Sequence, residues 1–184
     1  MVPHFNNSLI DKLNSFLVLD TSVLAFCMES EENFKFIDHI TPNATLMIDP
    51  VAKLEFLRGA YQESVLKQRK TLLEYKRFNK MMDHYQIHHQ TYDQAELISR
   101  IYTHHGISDV PLGDLLIMGR LSIYTARMMF ATFDKNDFSK YIFDRVGIVT
   151  IETETKNNKD IFRVLQFLEL NRSKLDDCIS RLPN

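Results

Sequence analysis

The chain has 184 residues, 45% of them hydrophobic and 25% charged, with a formal net charge of −2. That is the composition of one globular domain with a sizeable core, and a balance so near neutral excludes a global basic field that would draw it onto nucleic acid or an anionic membrane. Cys27 and Cys178 are too few for a disulfide framework and lack zinc-ligand spacing, which points to reduced thiols in a cytoplasmic protein. Met1 to Ser15 holds no apolar leader segment, and no stretch reaches the apolar length of a membrane span.

Ser8 to Leu13 reads as a short leading helix. Phe16-Leu17-Val18-Leu19 is an apolar run that stops abruptly at Asp20, the pattern of a buried strand in a parallel sheet. A helix over Val23 to Glu29 follows, then a second from Ser30 to Ile40 and a turn at Thr41-Pro42-Asn43. Ala44 to Ile48 is strand two. Asp49-Pro50 starts a helix as N-cap and first helical residue, with Leu54, Leu57, Tyr61 and Val65 expected as its buried stripe. Helix continues, with a break at Gly59, to about Met82. Tyr85 to His88 suggests a short strand or loop, and Thr91 opens a helix ending near Gly106. Another helix covers Asp114 to Tyr124. Met128 to Thr132 is strand three, again followed by an acid, Asp134. Asp137 to Phe143 reads as a short helix, Gly147 to Ile151 as a strand, Ile161 to Leu170 as a strongly apolar helix, and Lys174 to Ser180 as a last one. Strands alternating with helices predict an α/β fold, a parallel sheet with helices on both faces.

Four acids stand out. Asp20 and Asp134 each lie just past a predicted strand, and ligands of open α/β sheets bind at strand carboxyl ends. Glu55, between Leu54 and Phe56, and Asp114, before Leu115 and Leu116, are carboxylates among residues that should be buried. Such a group is costly unless paired or bound to a cation. Singly, each has a plain structural role: Asp20 and Asp114 as helix caps, Glu55 as an edge residue, Asp134 in a turn. Together they suggest a site for Mg²⁺ or Mn²⁺, which prefer oxygen ligands and can activate a phosphodiester for hydrolysis.

These stretches resemble a known family. Leu17-Val18-Leu19-Asp20-Thr21-Ser22 looks like the first motif of PIN domains, and Val51-Ala52-Lys53-Leu54-Glu55-Phe56-Leu57-Arg58-Gly59 resembles the second. Asp114-Leu115-Leu116-Ile117-Met118-Gly119-Arg120-Leu121 is similar to the third, and Ala131-Thr132-Phe133-Asp134-Lys135-Asn136-Asp137-Phe138 to the fourth. The resemblance spans roughly residues 15 to 151. It implies a PIN-like three-layer α/β/α fold with a central parallel sheet of four to five strands. It implies a metal-dependent endoribonuclease of the kind found as VapC toxins in bacterial toxin–antitoxin pairs. Asp20, Glu55, Asp114 and Asp134 carry over as catalytic ligands of Mg²⁺ or Mn²⁺. Thr21, Ser22, Thr132 and Asp137 carry over as residues that orient those ligands. The implied partners are an RNA substrate, an antitoxin protein and a second copy of the chain. Residues Thr132 to Phe138 are one longer than the compact pattern, so Asp134 and Asp137 both stay candidates for the fourth acid. The expected division is a nuclease domain over 1–153 and a helical extension over 154–184, packed on that domain or on a dimer partner. The alternatives are a non-catalytic PIN-like assembly module and a PIN nuclease of RNA processing.

Residues 67 to 80 hold Lys67, Arg69, Lys70, Lys76, Arg77 and Lys80 against one acid, Glu74. This local patch can follow an RNA backbone without reading bases, or it can be a solvated helix face. Lys53 and Arg58, near Glu55, are further phosphate candidates. His84, His88, His89, His104 and His105 form no zinc motif, and five glycines build no nucleotide-binding loop. A phosphatase with Asp20 as nucleophile would need a second Asp where Ser22 stands.

Overall fold

The apolar run Phe16–Leu19 is strand β2, and its alternate side chains enter two separate cores. Leu17 and Leu19 face one way, Val18 the other, and all three are fully buried. That is why the run shows no polar alternation: a strand covered on both faces has no wet side. The structure, a computed structural model, describes residues 2–4, 15–81, 85–124, 128–134, 136–154 and 160–183. The leading helix expected over Ser8 to Leu13 lies outside them.

Around β2 run β1 (Val2–His4), β3 (Thr45–Ile48), β4 (Phe78–Lys80), β5 (Met128–Thr132), β6 (Phe143–Glu154) and β7 (Asp160–Leu170). The helices are α1 (Thr21–Glu29), α2 (Glu31–Ile40), α3 (Pro50–Arg58), α4 (Glu63–Leu73), α5 (Tyr85–His104), α6 (Leu112–Ile123) and α7 (Arg172–Ser180). One seven-stranded sheet has the order β1-β6-β7-β5-β2-β3-β4. Strands β5, β2, β3 and β4 are parallel, whereas β1, β6, β7 and β5 pair antiparallel. The chain steps from β2 to β3 and β4, then returns to place β5 on the other side of β2. The carboxyl ends of β2 and β5 thus flank a switch in strand order, where a crevice opens in such sheets.

The fold is mixed α/β, with corrections to the expected parallel sheet of four to five strands. The largest concerns Ile161 to Leu170, a strand rather than a helix, hydrogen-bonded between β5 and β6. Leu165 and Phe167 enter one core and Leu168 the other, so an apolar run that looked like an uncovered helix is an interior strand. The strand leaves Phe162 59% exposed. It also takes most of the expected helical extension into the sheet, leaving α7 as its helical part. The stretch 137–142 is bends and a turn rather than a helix and Phe143 begins β6, Tyr85 to His88 begins α5, and 78–80 form β4 where helix is expected. The stripe on α3 is also different: Leu54 and Tyr61 are 69% and 97% exposed, and Ala52 and Phe56 are the buried residues.

Two features lock the layer over β2. Gly119 lets α6 lie against α5, since a Cβ there would sit 2.5 Å from the Thr91 carbonyl. At the β3–α3 junction, Asp49 caps α3 by accepting from Val51 N–H (2.7 Å), and its Oδ2 pairs with Arg120 Nε of α6 at 2.8 Å. Both side chains are 2% exposed or less. The pair fixes the helix bearing Glu55 against the helix bearing Asp114. Removing one member strands the other's charge, at about 3–5 kcal/mol. Arg120→Met is therefore expected to lower unfolding stability by that amount in urea titration. The double variant with Asp49→Asn, which keeps the capping oxygen, is expected to recover most of it. Equal instability of single and double variants would contradict the assignment.

Candidate functional site

Asp20 continues the sheet for one residue, its N–H donating to Ala131 O of β5 (3.0 Å), before α1 begins. Its side chain then caps α1: Oδ1 accepts from Thr21 N–H at 2.7 Å. Oδ2 accepts from the Ser22 hydroxyl and from Thr132 Oγ1 at 2.7 Å. A carboxylate 7% exposed is tolerable because three donors hold it. The capping role and the site role therefore belong to one residue. Thr21 turns its hydroxyl the other way, 2.9 Å from Glu55 Oε2 and 3.3 Å from Ala52 O, which joins α1 to α3. The Glu55 carboxylate lies against Gly113 in the first turn of α6, where a Cβ would come within 2.1 Å of it. A helix N-terminus suits a negative charge.

Asp114 follows in that first turn. Burial pushes its carboxyl up to about 8, and the charges of Asp20, Asp137 and Glu55 and a hydrogen bond with Asp137 push the same way. Asp137 is raised as well, by burial and then by its hydrogen bond with Asp134 and that residue's charge. Two hydrogen-bonded carboxyls cannot both be ionised without losing the bond, so at neutral pH Asp114 keeps a proton.

The fourth motif places its two acids differently. Asp134 Oδ1 accepts from the N–H groups of Asn136 (2.7 Å) and Asp137 (3.2 Å), so this carboxylate shapes the loop. Its own N–H donates to Thr132 Oγ1 (2.9 Å), and its carbonyl accepts from Gln166 Nε2 of β7 (2.6 Å). Asp137 is the one whose side chain reaches Asp114 and whose charge state feels Asp20. Gln166 carries no signal in the sequence, where Ile161 to Leu170 reads as a helix. The register that sets it opposite Thr132 is a long-range pairing with no local signal.

The donors that converge are all carboxylate oxygens, the chemistry that Mg²⁺ and Mn²⁺ prefer. The spacing is not a finished cage: among the described residues, no group of three or more His, Cys, Asp or Glu side chains is placed to hold a metal ion. The acids instead take internal partners, Asp20 the hydroxyls, Glu55 Thr21, and Asp114 and Asp137 each other. A cation there has to displace the proton shared by the last two.

Of the basic candidates, Lys53, Arg58, Lys67, Lys70 and Lys76 are exposed. Arg69 and Arg77 are tied internally. Arg69 donates to Phe56 O and lies over the Phe56 ring, 5.1 Å from its centroid, joining α4 to α3. Arg77 pairs with Asp38 and also donates to Thr41 O and to Ala44 O. These two anchor the fold.

No family model matches the sequence, and no curated protein matches it. Among solved structures, the VapBC2 complex from Rickettsia felis, bound to a DNA fragment from its promoter, contains a similar chain. The TM-score is 0.43 and the identity 14%, over 57% of this chain and 79% of that one. A likeness of that strength decides nothing about fold or function. No described helix is long and apolar enough to cross a membrane.

The Asp114 shift has a sign that stability measurements can read. A carboxyl raised from 3.8 to about 8 on folding binds its proton more tightly in the native state. Its stabilising contribution is therefore full below pH 4 and is lost as pH rises from about 4 to 8. Asp114→Asn removes that loss. It is expected to stabilise the cation-free protein at pH 8 by about 1–3 kcal/mol, after discounting for solvent screening, and to change little at pH 4. Thermal unfolding in EDTA at the two pH values checks this; destabilisation at pH 8 would contradict it.

Proposed function

We propose that the chain is a Mg²⁺- or Mn²⁺-dependent endoribonuclease of PIN type, hydrolysing RNA phosphodiester bonds, with Asp20, Asp114 and Asp137 as the acids that hold the cation and Glu55 beside them. The observation that carries the reading is Asp114, a carboxyl kept protonated to about pH 8 by burial and by the charges of Asp20, Asp137 and Glu55. Such crowding costs stability, and structures retain that cost where a site needs it. The bound cation would polarise the phosphate and stabilise the leaving oxygen.

The residues around the acids have separable tasks. Ser22 from the first turn of α1 and Thr132 from the end of β5 fix the Asp20 carboxylate, so it meets a ligand in one orientation. Thr21 does the same for Glu55. Asp137 takes the place that the compact pattern gives to one of two acids, and Asp134 holds the loop that presents it. Exposed Lys53 and Arg58, on the helix bearing Glu55, supply charge for an RNA backbone, and Lys67, Lys70 and Lys76 extend it. An antitoxin-like partner and a homodimer rest on the sequence resemblance alone.

A second reading, a non-catalytic assembly module, is favoured by one fact: no three described side chains are set to hold a metal ion. Cleavage assays separate the two. The first reading expects RNA cleavage in Mn²⁺ or Mg²⁺ that EDTA stops. It expects Asp20→Asn, Asp114→Asn and Asp137→Asn each to lose about 100-fold or more, in folded protein. Asp134→Asn, which keeps an oxygen for the loop N–H groups, is expected to lose no more than about 10-fold. Full activity in Asp20→Asn, or a larger loss in Asp134→Asn than in Asp137→Asn, would contradict the assignment.

A further inference from the structure

The loop between β5 and β6 carries Asp137, and among the described residues side chains from α1, β7, α5 and α7 hold its backbone, the last through Lys174 Nζ on Lys140 O and Cys178 Sγ on Tyr141 O. At its start, Phe133 N–H donates to Ser22 Oγ (3.1 Å). One residue on, the Asp134 carbonyl accepts from Gln166 Nε2 at 2.6 Å. Gln166 is a buried polar residue on an interior strand, 5% exposed, and its register places it directly opposite Thr132. Past Asp137, Ser139 N–H donates to Tyr102 OH of α5 at 2.8 Å. The Tyr102 hydroxyl is itself fixed, donating to Met118 Sδ of α6 at 3.2 Å, with the residue 1% exposed. Between these points Phe138 packs against Phe130, ring centroids 4.4 Å apart.

A buried amide and a buried phenol need partners for their polar atoms. Both set their polar atom on the backbone of the same loop, and Asp137 lies between the two contacts. We propose that Gln166 and Tyr102 are positioning residues that clamp the loop on either side of Asp137 and so direct it at Asp114. They act through the backbone of Asp134 and of Ser139. The consequence for catalysis rests on the metal-dependent reading above; the clamp itself does not. The inference also gives the C-terminal strand a task, since β7 brings Gln166 to the crevice from a segment beyond the four motifs.

The test uses the full chain and two variants, Gln166→Met, which keeps volume and loses the donor, and Tyr102→Phe, which loses only the hydroxyl. Each is compared with wild type by amide hydrogen exchange, by Mn²⁺ titration followed through the magnetic resonance signal of free Mn²⁺, and by RNA cleavage. Exchange over 133–139 is expected to quicken about 10-fold with the sheet unchanged. Mn²⁺ affinity and kcat are expected to fall about 10-fold, with KM for RNA within about twofold of wild type. Wild-type loop exchange in both folded variants overturns the clamp. Faster exchange with wild-type Mn²⁺ affinity and kcat overturns its positioning role. Faster exchange in a protein whose wild type neither binds Mn²⁺ nor cuts RNA supports the clamp and sinks only the ribonuclease reading.

Discussion

Negative charge is crowded at the end of β2, and much of the structure serves to hold it there. Asp20, Glu55, Asp114 and Asp137 come from four separate elements, and the charges of the other three all raise the Asp114 carboxyl. Left to themselves such groups separate or stay protonated. Here hydroxyls from Thr21, Ser22 and Thr132 tie two of them down, and a proton shared by the other two replaces a missing positive charge. The buried Asp49–Arg120 pair holds the two helices that carry Glu55 and Asp114. Its desolvation is expensive, so its value lies in fixing that geometry rather than in net stability.

Where physical pattern is local, the sequence was readable. An apolar run ending at an acid placed β2 and Asp20, and Asp-Pro placed the start of α3 with Asp49 as its cap. Met128 to Thr132 was found as a strand by the same logic. The rule about strand ends in α/β sheets reaches Asp20 and Asp134, whereas Glu55 and Asp114 are read from their apolar neighbours and from the resemblance. The choice between Asp134 and Asp137 was not local. It depends on which carboxyl the loop spends on its own N–H groups and which it turns toward α6.

The rest was hidden for definable reasons. Ile161 to Leu170 is apolar on both faces because β7 lies between two cores, and periodicity cannot distinguish that from a buried helix. With the strand went Gln166, whose side chain reaches the acid loop at Asp134 from the C-terminal segment. The α3 stripe failed because the chain breaks near Gly59, leaving Tyr61 outside the helix and Leu54 on the open side. Arg69 and Arg77 looked like part of a basic surface, yet each satisfies backbone carbonyls at an element junction. Arginine's fixed fork suits that task, and charge counting along a sequence cannot separate it from solvent exposure.

The central claim is that the crowded carboxylates are a cation site. Diffraction from a crystal soaked in Mn²⁺, collected for anomalous signal, tests it most directly. The account predicts a peak in the crevice between the ends of β2 and β5, in contact with Asp20, Asp114 and Asp137. A fully soaked crystal with no peak there, and with the Asp114–Asp137 hydrogen bond intact, would contradict it.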